Sequence, residues 1–240
     1  MRPLQGEPLL QAWEAGANQG YLGRAVTLLH MACPEIEPDD LLGLTVPQLN
    51  LQLLRVQQVS FGSTLSGFLS CPQCAARLEL SVPVTSLIEQ LQPLTLSDGL
   101  RWSEGTVEYT LRPLAARDLI LAEGEGNPEQ TRKLLLQRCI TAAGDKTGSE
   151  GLDHSAIALK KFDELHAGAE ITLQLECPTC LVSQSVDLDI ARFLWSEVRH
   201  AAIRLLREVH DLAGGYGWSE QAILNMTVQR RSAYLELIRA

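Results

Sequence analysis

The chain has 240 residues, of which 45% are hydrophobic and 20% charged, and its formal net charge is −9. This composition excludes intrinsic disorder and collagen-like chains, and 43 leucines with only 5% aromatic residues favour a mainly helical protein. The negative charge argues against a general nucleic-acid-binding protein, because neutralising phosphates requires clustered Lys and Arg. No apolar run approaches the roughly 18 residues of a membrane span, and the N-terminus lacks the apolar segment of a signal peptide. We therefore expect a cytoplasmic protein.

Residues 1–62 are predicted to form an N-terminal helical region. Apolar residues recur at spacings of three and four in residues 9–13 and 22–31. A third stripe comprises Val46, Leu49, Leu53, Val56 and Val59. Thr45 has the position of an N-cap for this third helix, and Gly62 is expected to end it.

A strand–CPxC–strand pattern follows, and it occurs twice, about 106 residues apart. Apolar or small residues alternate before each cysteine pair, at Leu65, Gly67 and Leu69 and at Ile171, Leu173 and Leu175. They alternate again after each pair, at Leu78, Leu80 and Val82 and at Val186, Leu188 and Ile190. A period of two is typical of half-buried strands. We therefore predict one discontinuous module, residues 63–93 with 167–190, in which each hairpin leads into a helix.

Residues 94–166 form an insert between the two copies. The segments 100–102 and 107–111 are predicted to pair as a hairpin with a four-residue loop. Helical patterns follow at residues 115–123, 129–142 and 155–166, and a solvated loop is expected at 144–151.

Residues 190–240 are predicted to form a C-terminal helical region. A single apolar stripe defines its long first helix, at Ile190, Leu194, Val198, Ala201, Leu205, Val209 and Leu212. Gly214 and Gly215 are expected to end this helix. Two short helices follow, at 219–224 and at 228–238 with Thr227 as N-cap. Residues 191–240 carry seven Arg against five acidic residues, a mild positive excess, and we expect no exposed Arg/Lys stripe in the chain.

The cysteine pairs indicate a metal site. Cys71, Cys74, Cys177 and Cys180 form two CPxC pairs, each predicted at the tip of a hairpin. The two-residue spacer lets both thiolates of a pair contact one ion, so two pairs supply the four sulfur ligands of a structural zinc. We predict that these four cysteines bind one Zn²⁺ in a split zinc-ribbon-like β module within an α+β, mainly helical protein. Cys33 and Cys139 lack a partner motif and are expected to be buried core residues.

Two other interpretations of the cysteine pairs are weaker. Thioredoxin-like dithiol chemistry requires the first cysteine at a helix N-terminus, whereas each second cysteine here leads into a strand pattern. An iron site of the rubredoxin type uses the same four sulfurs, and the spacing alone does not distinguish it from zinc.

Three segments together resemble a known family. They are FGSTLSGFLSCPQCAARLELSV, ITLQLECPTCLVSQSVDLDIARFLWSEV and LLREVHDLAGGYGWSEQAILNMTVQRRSAYLELI. In this order they resemble the T4-family baseplate hub assembly chaperones of contractile phage tails and extracellular contractile injection systems. The more specific pattern is in the tail, YGWSE followed by IL and RR-x-x-YL-x-L, at residues 216–237. The resemblance covers roughly residues 45–92 and 167–240.

The resemblance implies a non-enzymatic protein that helps to assemble the baseplate hub or remains in the particle as one of its components. Its partners would be hub or spike subunits, and neither a membrane nor a nucleic acid is expected. Family members vary in whether they keep the cysteine pairs, so the zinc prediction depends on the spacing in this sequence. The alternative function is a zinc-ribbon transcription or nucleic-acid-binding factor, and a third is a dithiol oxidoreductase.

Overall fold

The structure is a computed structural model that describes residues 1–96, 98–143 and 156–239. Its helices are α1 (Glu7–Ala17), α2 (Tyr21–Ala32), α3 (Pro38–Gly43), α4 (Val46–Phe61), α5 (Val84–Leu91), α6 (Ala116–Ala122), α7 (Pro128–Cys139), α8 (Ala156–His166), α9 (Ile190–Tyr216), α10 (Glu220–Leu224) and α11 (Val228–Arg239), with a 3-10 turn at Gln92–Leu96. Its strands are β1 (Thr64–Ser70), β2 (Arg77–Pro83), β3 (Leu100–Glu104), β4 (Val107–Leu111), β5 (Ile140–Ala143), β6 (Ile171–Glu176) and β7 (Ser183–Leu188). Helix accounts for 58% of the described residues and the sheets are small and antiparallel, which confirms the predicted mainly helical α+β class.

The N-terminal helices form where the apolar spacing predicts them. Thr45 directly precedes α4, and its backbone N–H donates to Oε1 of Gln48 at 2.9 Å. This bond satisfies a backbone donor at the start of the helix. Gly62, with φ +107°, ends α4 in a conformation that few other residues adopt.

Helix α9 is the centre of the main core. Its predicted stripe is buried except for the partly exposed Ala201. It packs against α1, α2, α4, α10 and α11, so the first and last parts of the chain share one core with it.

The predicted stop at Gly214 and Gly215 is wrong, because α9 continues through both residues to Tyr216. Gly217, with φ +67°, follows the helix as its left-handed cap. Gly215 has a packing role, since a Cβ there would lie 2.8 Å from Cδ1 of Ile238 in α11.

Gly16 allows a close approach of α1 and α9, and we expect Gly16→Ala to lower the free energy of unfolding. A Cβ at Gly16 would lie 2.5 Å from Cζ3 of Trp195, a rigid ring in the core layer. Overpacking of this kind costs about 1–3 kcal/mol. Gly214→Ala is the matched control, because no atom lies within 4 Å of its Cβ position and alanine is the better helix former by about 1 kcal/mol. Urea unfolding of both variants checks the prediction, and equal stabilities would contradict it.

The two predicted cysteine hairpins are confirmed and have the same register. Leu65 pairs with Val82 in the first, and the positions 106 residues later, Ile171 and Leu188, pair in the second. In all four strands the residues predicted to face inwards are buried or half-buried and their neighbours are mostly exposed. Ile190 is the exception to the strand prediction, because it is the first residue of α9.

The insert contains a three-stranded sheet in the order β3-β4-β5, with a small core of its own around Leu111, Leu114 and Cys139. The predicted four-residue loop is wrong, since only Gly105 and Thr106 separate β3 from β4. The predicted helix 129–142 is also too long, because residues 140–143 form β5 and pair with β4. The expected loop 144–151 and residue 155 lie outside the described residues.

Within the described ranges, no helix combines the length and the apolar character needed to cross a membrane.

Candidate metal centre

The structure brings the four CPxC cysteines together. Cys71 directly follows β1 and Cys177 directly follows β6, so each pair lies in the turn of its hairpin. The Sγ atoms of Cys71 and Cys180 are 3.6 Å apart, and those of Cys74 and Cys177 are 3.7 Å apart. All four Sγ atoms lie within 4.8 Å of one another. These four cysteines can therefore hold one metal ion between the hairpins.

The two turns have the same backbone hydrogen bonds. The N–H of Cys71 donates to the carbonyl of Ala76 at 2.9 Å, and the N–H of Ala75 donates to the carbonyl of Cys71 at 2.9 Å. In the second turn the corresponding distances are 3.0 Å from Cys177 N to Val182 O and 2.8 Å from Leu181 N to Cys177 O. The repeated pattern gives both pairs the same turn geometry.

Each turn holds a non-glycine residue in the left-handed region directly after its second cysteine. The φ angles are 57° at Ala75 and 60° at Leu181, and no other non-glycine residue in the described chain has a positive φ. This conformation costs roughly 1–2 kcal/mol per residue. Leu181 is also 71% exposed, so burial of its side chain contributes little compensation. Such strain at equivalent positions is typical of functional turns.

Backbone N–H groups in the turns stabilise negative charge on the first sulfur of each pair. The N–H of Cys74, with a smaller contribution from that of Gln73, lowers the pKa of Cys71. The N–H groups of Cys180 and Thr179 likewise lower the pKa of Cys177, to about 6. The pKa of Cys74 is raised and that of Cys180 is raised to about 12, since burial and the neighbouring sulfurs disfavour further negative charge there. Each turn therefore favours one thiolate, the metal-binding form, at its first cysteine.

The site is partly closed to water. Cys71 and Cys177 are buried against Leu78, whereas Cys180 is half-buried and Cys74 is exposed. An ion with four protein sulfurs has no free position in tetrahedral coordination, so the arrangement suits a structural role. Neither pair begins a helix, and the dipole that activates a thioredoxin-like cysteine is therefore lacking at both.

Cys33 and Cys139 lie apart from this site, as expected for core residues. Cys33 belongs to the main helical core and Cys139 to the core of the insert. Burial raises the pKa of Cys139 to about 11, which keeps this thiol protonated and unreactive at neutral pH.

Helix α9 has a basic surface that was not predicted from the sequence. The exposed side of α9 carries Arg192, Arg199, Arg204 and Arg207 within an arc of about 140°. The signal was present, since these residues occupy the outer positions of the same helical period that defines the buried stripe. The small net charge of residues 191–240 does not reveal this surface, because most acidic residues of the region lie outside the arc. The expectation that this region lacks an exposed arginine stripe is therefore wrong.

Arg230 and Arg231, the RR pair of the tail pattern, have different environments. Arg231 is only 5% exposed, donates to Oε2 of Glu208 at 2.9 Å and donates to the Met226 carbonyl at 2.8 Å. It therefore joins α11 to α9 within the fold. Arg230 is exposed, and its guanidinium lies 5.7 Å from the ring centre of Tyr234.

Comparisons of this chain with models of known protein families, with curated proteins and with solved structures find no match.

Proposed function

We propose that this protein is a non-enzymatic assembly factor, or a resident component, of the baseplate hub of a contractile tail or injection system. A structural zinc would join its two hairpins into a zinc-ribbon-like module, and the α9 arginines would contact an acidic partner subunit. The observation that carries the metal part of the proposal is the convergence of four cysteine sulfurs from hairpins 106 residues apart in the chain.

The sulfur geometry fits a tetrahedral four-sulfur ion such as zinc. Four thiolates at about 2.3 Å from a tetrahedral zinc lie about 3.8 Å from one another. Two of the separations between the hairpins, 3.6 Å and 3.7 Å, are close to this value, and all four sulfurs lie within 4.8 Å of one another. Metal analysis of protein purified without added zinc tests this step. One zinc per chain is expected; iron in its place, or a folded chain without metal, would contradict it.

The assignment to a baseplate hub rests on the resemblance of residues 45–92 and 167–240 to the hub assembly chaperones. The fold adds a surface suited to such a role. A solvated helix face ordinarily mixes Glu with Lys, whereas the fully exposed residues of α9 include four arginines, two histidines and one acidic residue, Asp211, and Glu197 and Glu208 are half-buried. Arginine is enriched in protein interfaces and lysine is depleted there, which favours partner binding over mere solubility.

Reversing charge on α9 should weaken hub binding. We expect a triple variant, Arg199→Glu with Arg204→Glu and Arg207→Glu, to reduce recovery of hub subunits about tenfold in pull-downs from cells expressing the whole gene cluster. Three exposed charge contacts at roughly 0.2–1 kcal/mol each account for an effect of this size. The control replaces three exposed arginines outside α9, Arg55, Arg101 and Arg132, by Glu and changes net charge equally.

The outcomes of this pull-down separate the two parts of the proposal. Failure of the wild-type protein to recover any hub subunit would reject the hub function. Recovery that falls equally in both triple variants would keep the hub function and reject α9 as its contact surface.

The arginine face also favours a second candidate, a zinc-ribbon nucleic-acid-binding factor. Phosphate contacts make such binding strongly salt-dependent. A gel shift of DNA or RNA that weakens with salt and disappears in the α9 triple variant would support this candidate over the hub. We expect no such shift near physiological salt, because the chain as a whole carries −9.

A further inference from the structure

A second basic site lies where the insert meets the α3–α4 turn. A pocket of about 450 Å³ is lined there by Arg112, Arg117 and Arg138, together with Gly43 and Thr45. Arg112 follows β4, Arg117 lies in α6 and Arg138 lies in α7, so three separate elements bring guanidinium groups to one cavity. Three positive charges around one pocket need an explanation in a protein with a net charge of −9.

Asp118 accounts for only part of this charge. It is fully buried, and Arg112 donates to its Oδ2 at 2.6 Å and to its Oδ1 at 2.9 Å. Arg138 Nε donates to Oδ1 at 2.8 Å and the N–H of Ala115 donates to Oδ2 at 3.0 Å. Each oxygen therefore accepts two hydrogen bonds, which fills the acceptor capacity of a carboxylate. Asp118 has none left for Arg117 or for the terminal nitrogens of Arg138.

The terminal nitrogens of Arg117 and Arg138 are the donors that remain available in the pocket. Arg112 uses both terminal nitrogens on Asp118 and on the carbonyls of Pro113 and Arg138. Among the described residues, Arg138 donates only from its Nε, and Arg117 donates from its Nε to the Leu42 carbonyl at 3.4 Å. In the described part of the chain, no carboxylate contacts the terminal nitrogens of Arg117 and Arg138. Three arginines and one aspartate leave a local charge of +2.

Gly43 provides the room for this arrangement. A Cβ at Gly43 would lie 2.7 Å from a terminal nitrogen of Arg117, so the guanidinium rests against a position without a side chain. The Arg112–Asp118–Arg138 contacts in turn hold Arg138 at the other wall. A purely structural ion pair would need neither the third arginine nor the open cavity.

We propose that this pocket binds one oxyanion group, a phosphate or a carboxylate, between the terminal nitrogens of Arg117 and Arg138. The planar guanidinium fork matches both anions and donates two parallel hydrogen bonds to either. Thr45 and Gly43 also line this pocket. The bound group would therefore lie between the insert and the N-terminal helices.

Anion titrations of the whole protein test the site, with inorganic phosphate and acetate as probes and chloride at matched ionic strength as the reference. We expect a saturable rise in Tm of about 3 °C when the bound anion is at ten times its Kd. The probe that binds more tightly identifies the source, phosphate or carboxylate. Equal melting temperatures in all three salts would overturn the proposal.

Arg117→Gln is the main variant, because Arg117 makes no contact with Asp118 and its loss leaves the ion network intact. We expect it to weaken anion binding at least about tenfold, as for the loss of charge-assisted hydrogen bonds. Gly43→Ala, which would displace the Arg117 guanidinium, should weaken binding in the same direction. Arg199→Gln, on the exposed face of α9, is the matched control and should bind like the wild type. Unchanged binding by Arg117→Gln would overturn the assignment of the site.

Discussion

Replacing Cys177 and Cys180 together by serine should remove the proposed zinc and unfold the cysteine hairpins. Two of the four sulfur ligands would be lost, and with them the only metal-mediated connection between the hairpins in the described chain. A structural zinc contributes on the order of 10 kcal/mol to folding, which is comparable with the whole stability of 5–15 kcal/mol typical of a domain. We therefore expect a protein without stoichiometric metal that melts far below the wild type or aggregates.

Metal content and thermal unfolding, measured on the same samples, check this prediction. Cys139→Ala is the control, since it removes a buried thiol that lies outside the four-sulfur cluster. It should keep one metal per chain and lose only the stability that a small cavity costs, about 1–2 kcal/mol. A double variant that stays folded with the wild-type melting temperature would show that the metal does not stabilise the fold.

The hairpins and their cysteines could be predicted because their signals are local. Alternation of apolar residues decides which face of a strand is buried, and Leu65, Leu78 and Ile171 accordingly lie inwards. The CPxC spacing similarly determines how two thiolates can be presented in one turn. Neither signal depends on where the rest of the chain lies, so sequence reasoning is strong at both.

The errors arise where tertiary contacts decide the structure. Residues 140–143 continue a helical pattern in the sequence, but they pair with β4, whose free edge no local signal reveals. Gly215 is likewise part of α9, and Ile238 of α11 packs against it. The arginine pocket is less predictable still, since Gly43, Arg117 and Arg138 come together only through the fold.

Asp118 is the second residue whose replacement should have a large effect. Burial alone would raise the pKa of its carboxyl, but the contacts with Arg112, the Ala115 N–H and Arg138 outweigh burial and lower the pKa to about 2. Asp118→Asn would leave two arginines without their shared carboxylate. Breaking a buried ion pair by removing one partner costs about 3–5 kcal/mol, and urea unfolding at pH 7 measures the loss.

Asp163→Asn is the matched control, because the Asp163–Arg132 pair has the same chemistry on the surface. Its side chains are 68% and 50% exposed and their closest atoms are 3.4 Å apart. Exposed pairs contribute about 0–1 kcal/mol, so this variant should remain close to the wild type. Similar losses of unfolding free energy in the two variants would show that burial of Asp118 does not strengthen its ion pairs.

The dependence of the unfolding free energy on pH separates the effect of the lost charge in Asp118→Asn from effects of packing and neutral hydrogen bonds. The pKa of Asp118 in the folded protein lies below the ordinary value of about 3.9, so its ionised form stabilises the fold fully above that value. This stabilisation is lost as pH falls through 4 towards 2, since protonation then favours the unfolded chain. The gap in unfolding free energy between wild type and Asp118→Asn should therefore narrow over this range, and comparing the two proteins at each pH cancels acid effects that they share. A gap that stays constant from pH 6 to pH 3 would mean that Asp118 acts through packing and neutral hydrogen bonds, with its charge contributing little.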